Sequence, residues 1–533
     1  MIARHDNSIE VRRQAIQAAL DATKSVAERN RLGQFATPNA LAVEIVRYVA
    51  TLAGQRQSGI RFADPAVGSG SFFSAALAVF GRQRIKSALG VELDGAFANA
   101  ARDLWSEAGL EVVQGDFTRI VANGPGLPAP NLLLANPPYV RHHHMSRAEK
   151  QRLQRLTLDL TGVEVNGLAG LYVYFLLLAT AWMEDGGYAA WLIPSEFMDV
   201  NYGAALKRFL SDRVTLIRMH RFDPDDVQFG DALVSSVAVV FRKAPPPADH
   251  AAEFTFGGTM ARPDAVGRIP RDRLRESRKW TAYPNHASND RHTLSNGTGP
   301  TLADFFRIQR GIATGDNKFF ILNRIDAERR RLPVKYLRPI LPSPRHLKTT
   351  VIEADDDGYP LIDRQLCVID CDLPEHVVEQ RYPALWQYLQ TAEVLGVKDG
   401  YLVGKRTPWY KQEQREPAPF LCTYMGRGSD DKRPFRFIWN RSAAIGTNLY
   451  LMLYSLKGLA AMLRKHRKRG AHVHELLRQV TGHELRGEGR VYGGGLHKIE
   501  PSELGRISAA PFVDRWPELG RSVSRAETAG LFG

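Results

Sequence analysis

The tetrapeptide Asn136-Pro137-Pro138-Tyr139 carries residue types whose order is hard to explain without chemistry. At average residue usage, a given Asn-Pro-Pro-Tyr falls by chance in on the order of one chain in several hundred of this length. The two prolines fix the backbone and remove two N–H donors, so the Asn136 side-chain oxygen and the Pro137 carbonyl can point at one spot. Two acceptors converging there would hold both protons of an –NH₂ group and leave its lone pair aimed at an electrophile. Tyr139 would stack on the flat ring that carries the amine. The plain alternative is a proline-rich turn with an aromatic packing residue.

A second candidate lies upstream, in Ala63-Asp64-Pro65-Ala66-Val67-Gly68-Ser69-Gly70-Ser71-Phe72 running into a helix over Ser74–Phe80. Its glycines let a ligand approach the backbone at a helix start. It lacks the third glycine of the dinucleotide fingerprint and the Lys-Ser/Thr of a P-loop, so it is not built for phosphates. Two acidic residues follow in step. Glu92 can accept both hydroxyls of a ribose, and Asp116 can accept the amino group of an adenine ring. Taken singly, either carboxylate reads as a helix cap.

These residues have to be held by a scaffold, and the hydrophobic pattern supplies one. Gly59–Ala63, Ala88–Glu92, Leu110–Gln114, Asn131–Ala135, Tyr188–Ile193 and Val237–Phe241 read as buried strands separated by helix-length segments. That is a doubly wound α/β sheet, whose ligands bind outside the C-terminal strand ends, where the candidates fall. An amphipathic helix over residues 9–30 precedes it. The prolines at 245, 246 and 247 break the rhythm and mark a boundary. The expected domains are therefore 1–245, a linker over 246–300, and a mixed α+β domain over 301–533. Within the last, residues 451–480 read as a helix ending in the basic run Arg464–Arg469.

Charge separates the halves. Residues 1–250 hold 26 Lys+Arg against 25 Asp+Glu, whereas residues 251–533 hold 45 against 32, so nearly all of the net +14 is C-terminal. A basic module beside a neutral one suits a nucleic-acid binder with a separate chemical domain; an inert basic surface is the alternative. No apolar run approaches the ~18 residues of a membrane helix, and the N-terminus lacks a secretory pattern, so a cytoplasmic protein is expected. The three cysteines, Cys367, Cys371 and Cys422, read as free thiols rather than zinc ligands.

In order and kind these motifs resemble the gamma-class adenine DNA methyltransferases of type II restriction–modification systems. Gly33-Gln34-Phe35-Ala36-Thr37-Pro38 looks like their additional N-terminal cofactor motif, Asp64–Phe72 their main cofactor loop, Glu92 their ribose ligand, Asp116-Phe117 their adenine contact, and Asn136–Tyr139 their catalytic motif. The resemblance implies a class I S-adenosylmethionine-dependent methyltransferase fold followed by a DNA-recognition domain. It implies S-adenosylmethionine as cofactor, S-adenosylhomocysteine as product, and no metal. Thr37, Asp64, Pro65, Ala66, Gly68, Gly70, Glu92, Asp116, Phe117 and Pro138 would line the cofactor. Asn136 and Pro137 would grip an extruded adenine, with Tyr139 and Phe229 stacking on its two faces.

Further on, Arg310–Lys318 is similar to the opening of the recognition domains of these enzymes and Gly493–Pro501 to a segment near their end. Arg310, Asn317, Lys318 and Lys498 are thereby candidate contacts to double-stranded DNA, with turns and solvated lysines as the alternative. The resemblance also implies a bacterial, nucleoid-associated monomer whose cognate restriction endonuclease is a separate protein. Three readings stand beside adenine: cytosine N-4 methylation, methylation of an RNA or protein-glutamine amine, and a DNA-binding subunit with an inactive methyltransferase fold. His142–His144, next to the catalytic loop, reads as a substrate-gating loop rather than a metal site.

Overall fold

A computed structural model describes residues 7–53, 59–120, 129–223, 235–284, 299–427, 434–480, 485, 490–492 and 496–520. The chain forms two compact units, Met1–Thr293 with Tyr492–Gly494, and the remainder from Leu294 onward.

The first unit opens with α1 (Asn7–Ala22) and α2 (Val26–Leu32). The single helix expected over 9–30 is thus two, because Ser25 accepts from the Glu28 N–H and caps a new start. After α3 (Asn39–Ala53) come β1 (Ile60–Asp64), α4 (Ser71–Phe80), β2 (Ile85–Glu92), α5 (Gly95–Trp105), β3 (Leu110–Gln114) and β4 (Leu132–Ala135). Then follow α6 (Arg147–Thr161), α7 (Leu171–Trp182), β5 (Tyr188–Pro194), α8 (Ala204–Asp212), β6 (Thr215–Arg221), β7 (Ser236–Arg242), β8 (Ala251–Phe256) and β9 (Ala265–Pro270).

The strands form one nine-stranded sheet of order β3-β2-β1-β4-β5-β7-β6-β8-β9. β3 through β5 run parallel, and β7 is antiparallel to both of its neighbours. The order reverses between β1 and β4, so the chain leaves β1 toward one edge and β4 toward the other. That opens a crevice at the C-terminal ends of these two strands. Helices cover both faces, over two apolar clusters. α7 shows why its sequence reads as uninterrupted apolar: ten of its twelve residues are buried against the sheet. No helix among the described residues is long and apolar enough to cross a membrane. This is the α/β, class I methyltransferase architecture expected from the sequence.

Two expectations fail. Residues 246–300 are not an irregular linker throughout, since β8 pairs parallel with β6 and β9 antiparallel with β8. The three prolines mark only the loop from β7 to β8. In the second unit, Tyr450–Ser455 is a strand and not the start of a helix. Its short apolar run is the kind that period alone cannot assign, and here it pairs between Phe306–Arg310 and Phe420–Thr423 with its first four residues buried. Helices Lys457–Lys465 and Arg469–Gln479 follow, so the basic run joins two helices. A five-stranded and two three-stranded sheets with these helices make the second unit mixed α+β. All three cysteines are free and buried.

Candidate active site

The candidate residues of the first unit gather at the C-terminal ends of four adjacent strands. Asp64 ends β1, Glu92 ends β2, Asp116 follows β3 and Asn136 follows β4. Asp64 is buried, and its Oδ1 accepts from the Ala66 N–H at 2.9 Å, which pins the turn out of β1. Burial, and after it the nearby Glu92, push its carboxyl up to about 8 against that hydrogen bond. Glu92 grips the loop from the other side: Oε2 accepts from Gly68 N–H at 3.0 Å and Oε1 from Asp94 N–H at 2.8 Å. Burial also raises the Glu92 carboxyl, against those two bonds.

The two loop glycines differ. A Cβ at Gly70 would stand 2.4 Å from Trp105 Nε1, so this glycine serves the packing of α5. A Cβ at Gly68, whose φ is +55°, would meet nothing within 4 Å. Open space above Gly68, beside two carboxylates in reach of hydroxyl or amino groups, fits the nucleoside and amino-acid ends of S-adenosylmethionine. Asp116 is already engaged, with Oδ1 accepting from Thr118 N–H and Oγ1–H and Oδ2 from Arg119 Nε. Phe117 is 3% exposed and packs on Phe175 and Trp182 in the core, which removes its ring from a ligand-facing position.

Asn136 has the most informative surroundings. Its Nδ2 donates to the Phe35 carbonyl at 2.9 Å and to Thr37 Oγ1 at 3.0 Å, which uses both protons. Its Oδ1 is sealed from solvent and accepts from no group among the described residues. A buried acceptor without a partner is costly, and such groups in native proteins mark places where a ligand completes the bonding. Tyr139 is 7% exposed; its hydroxyl donates to the Leu192 carbonyl at 3.1 Å, and burial pushes the phenol well up. One ring contact is with Phe35, at 5.5 Å and 45°. Phe229 lies outside the described residues. His142–His144 form a single exposed turn with ring-to-ring contacts. Among the described residues, no three His, Cys, Asp or Glu side chains are placed to share an ion.

One element had no place in the motif reading. α1 lies against the glycine loop through a buried ion pair: Arg13 donates to both Glu10 oxygens and, through Nη1, to Ser69 and Ser71 Oγ at 2.9 Å each. Ser74 and Gln14 also donate to Glu10, and Ser69 donates to Gln17. The Glu-x-x-Arg spacing on this helix was the available signal.

In the second unit, Arg310 and Lys498 come together over one ring. The Arg310 guanidinium sits 4.0 Å from the Tyr424 centroid and Lys498 Nζ 5.1 Å from it. Lys498 pairs with Glu500 at 3.0 Å, and Arg310 donates to the Asn448 carbonyl at 3.1 Å. Asn317 accepts from Thr314 Oγ1–H, and Lys318 sits in a short helix capped by Asp316.

Two family models match the chain. Residues 131–228 match the Eco57I restriction-modification methylase, and residues 277–525 match the C-terminal domain of type II methyltransferase M.Eco57I. Type II methyltransferase M.XamI of Xanthomonas campestris pv. amaranthicola is 27% identical over 90% of this chain and 85% of its own length. Type II methyltransferase M.AccI of Acinetobacter calcoaceticus is 23% identical over 91% and 87%. Among solved structures, the type IIL restriction-modification enzyme MmeI, in complex with DNA, superposes with a TM-score of 0.56 at 13% identity. That match covers 84% of this chain and 66% of the longer one, and it shows the shared fold. Residues 131–228 and the C-terminal unit match two models named for one enzyme, and the relatives align along nine-tenths of this chain; together these similarities support a type II restriction–modification methyltransferase.

Proposed function

We propose that this protein transfers a methyl group to the exocyclic N-6 amine of adenine within a specific sequence of double-stranded DNA, protecting it from a separate cognate endonuclease. The observation that carries the reading is the orphaned Asn136 Oδ1, at the C-terminal end of β4 and beside the crevice held by Asp64 and Glu92. S-adenosylmethionine, held by residues around Gly68 and Glu92, would supply an electrophilic methyl group whose sulfonium sulfur leaves as a neutral thioether. Glu92 holds the ribose hydroxyls, and Asp64 orients the loop. Asn136 Oδ1 accepts a hydrogen bond from one amine N–H and the Pro137 carbonyl from the other, which directs the nitrogen lone pair toward the crevice; the methylated nitrogen then releases one of these protons to solvent. Orientation supplies most of the acceleration, and no covalent enzyme intermediate is needed.

Duplex DNA as substrate is supported by the relatives being type II methyltransferases and by the basic C-terminal half. Tyr139 and Phe229 are the proposed stacking pair, and Arg310, Asn317, Lys318 and Lys498 the proposed DNA contacts.

Long-read sequencing of DNA from a methylation-free bacterial host expressing the chain tests the proposal. Methyladenine in one short motif, lost with Asn136→Ala while cofactor binding persists, is the expected result. A cytosine mark, or no DNA mark from a cofactor-binding protein, would overturn it in favour of another amine substrate.

A further inference from the structure

The Asn136 side chain is useful only one way round. An amide turned by 180° presents N–H where the carbonyl stood, and a donor facing an –NH₂ group repels it. Nothing inside the tetrapeptide itself decides between the two orientations, and the backbone of β4 does not either. The decision comes from a segment about a hundred residues upstream, where the Phe35 carbonyl, which can only accept, takes one Nδ2 proton and the Thr37 hydroxyl takes the other. In the reversed orientation Oδ1 would face the Phe35 carbonyl, acceptor against acceptor, and both Nδ2 protons would lose their partners.

The segment bearing those acceptors is itself fastened to the catalytic loop. Gly33 accepts from the Tyr139 N–H at 3.1 Å, and the Phe35 ring packs on the Tyr139 ring. The approach is so close that a Cβ on Gly33 would lie 2.3 Å from Tyr139 N. Residues 33–37 therefore brace residues 136–139 by main chain, ring and amide together. Thr37 is 6% exposed, consistent with an inward-facing role.

We propose that Thr37 is a positioning residue for Asn136: the Phe35 carbonyl sets which way the amide faces, and the Thr37 hydroxyl, by accepting the second Nδ2 proton, holds it there with Oδ1 toward the target amine. The family resemblance assigns Thr37 to the cofactor; the geometry assigns its acceptor lone pair to Asn136. The inference rests on the reading of Asn136 as the amine-gripping group and adds what sets its orientation.

The test uses the full chain with Thr37→Val, Thr37→Ser and Asn136→Ala, measuring steady-state turnover on duplex DNA and, by calorimetry, the dissociation constant for S-adenosylmethionine. Thr37→Val keeps the shape and removes the acceptor. It should lower kcat about 10- to 100-fold, as expected for leaving a buried donor unpaired at the reacting group, with cofactor affinity within about twofold of the parent. Thr37→Ser restores the acceptor and should return kcat to within about threefold. A weakened cofactor affinity with kcat retained would make Thr37 a cofactor ligand and overturn the proposal. So would a Thr37→Val protein indistinguishable from the parent, or a Thr37→Ser protein as impaired as Thr37→Val. Retained cofactor binding doubles as the check on folding. Normal turnover by Asn136→Ala would instead remove the underlying assignment of Asn136, an outcome distinct from failure at Thr37.

Discussion

Glu10 and Arg13, one turn apart on α1, form a two-pronged ion pair inside the protein, with Arg13 Nη2 2.7 Å from Glu10 Oε1 and Nε 2.9 Å from Oε2. Both residues are under 5% exposed. Such a pair gains little over a well-packed apolar pair, because desolvation offsets the Coulomb attraction. Its removal by halves is another matter, since the surviving charge stays buried. Arg13→Met should cost roughly 3–5 kcal/mol of stability. The double variant Glu10→Leu/Arg13→Met should recover a large part of it. Thermal unfolding of the three proteins decides; a double variant no more stable than the single would show that the contacts to Ser69 and Ser71 matter more than the charge.

The same pair gives stability an acid limb. Burial alone would raise the Glu10 carboxyl, but hydrogen bonds from Arg13, Ser74 and Gln14 outweigh it and hold the group below its ordinary 4.5. A depressed carboxylate contributes stability that is present above the unfolded value and lost as pH falls through the folded one. Asp64 has the opposite sign. Its carboxyl, raised to about 8, binds a proton more tightly in the folded chain, so that contribution is full below the ordinary 3.8 and is lost as pH rises toward 8. Asp64→Asn should therefore match the cofactor-free parent in Tm below about pH 4, exceed it increasingly up to about pH 8, and keep that margin above. A difference that does not change with pH would place the Asp64 charge in contact with solvent or a cation.

Gly33 tests the brace independently of hydrogen-bond chemistry. Alanine there meets a left-handed backbone, φ +66°, and also the main chain of Tyr139 at 2.3 Å. Gly162 supplies the control, left-handed like Gly33 at φ +67° and with only the end of the Arg213 side chain, 3.9 Å away, near an added Cβ. Gly162→Ala should cost roughly 1 kcal/mol, the conformational term alone. Gly33→Ala should cost more and lower turnover at least tenfold, a loss on the order of 1.4 kcal/mol in the barrier. Equal loss of stability in both proteins, with turnover intact, would mean that the two loops separate without consequence.

The strands that carry the site were legible because each ends in a short, largely buried apolar run stopped by a polar residue: Ala63 before Asp64, Val91 before Glu92, Ala135 before Asn136. β6 was not, since Thr-Leu-Ile-Arg-Met-His-Arg interleaves charged residues with apolar ones and lies toward the mixed end of the sheet. β8 and β9 were hidden behind the prolines, which signal a turn but not how long the irregular chain continues. At the site, the carboxylates and Asn136 were placed by motif order, whereas the commitment of Asp116 to Thr118 and Arg119 and the burial of Phe117 depend on packing. The orientation of the Asn136 amide was the least accessible. One of its two determinants is the Phe35 carbonyl, a backbone atom 101 residues away that no side-chain pattern marks.

Arg310 and Lys498 share the Tyr424 ring but differ in their charge surroundings, and that predicts different roles on a polyanion. Lys498 is paired with Glu500, so the two together present little net charge. Arg310 is exposed, stacked at 4.0 Å, tied by one bond to a carbonyl, and contacts no carboxylate among the described residues. Its remaining N–H groups are pre-aimed donors of the sort that meet a phosphate. If the basic unit binds duplex DNA as proposed, Arg310→Met should weaken binding and lower the slope of log K against log salt by about 1. Lys498→Met/Glu500→Gln removes a cation and an anion together and should leave that slope near the parent value. Fluorescence anisotropy of a labelled duplex, titrated from low to moderate salt, reads both. A slope unchanged in Arg310→Met would move Arg310 from DNA contact to packing on Tyr424, with loss of thermal stability as its signature.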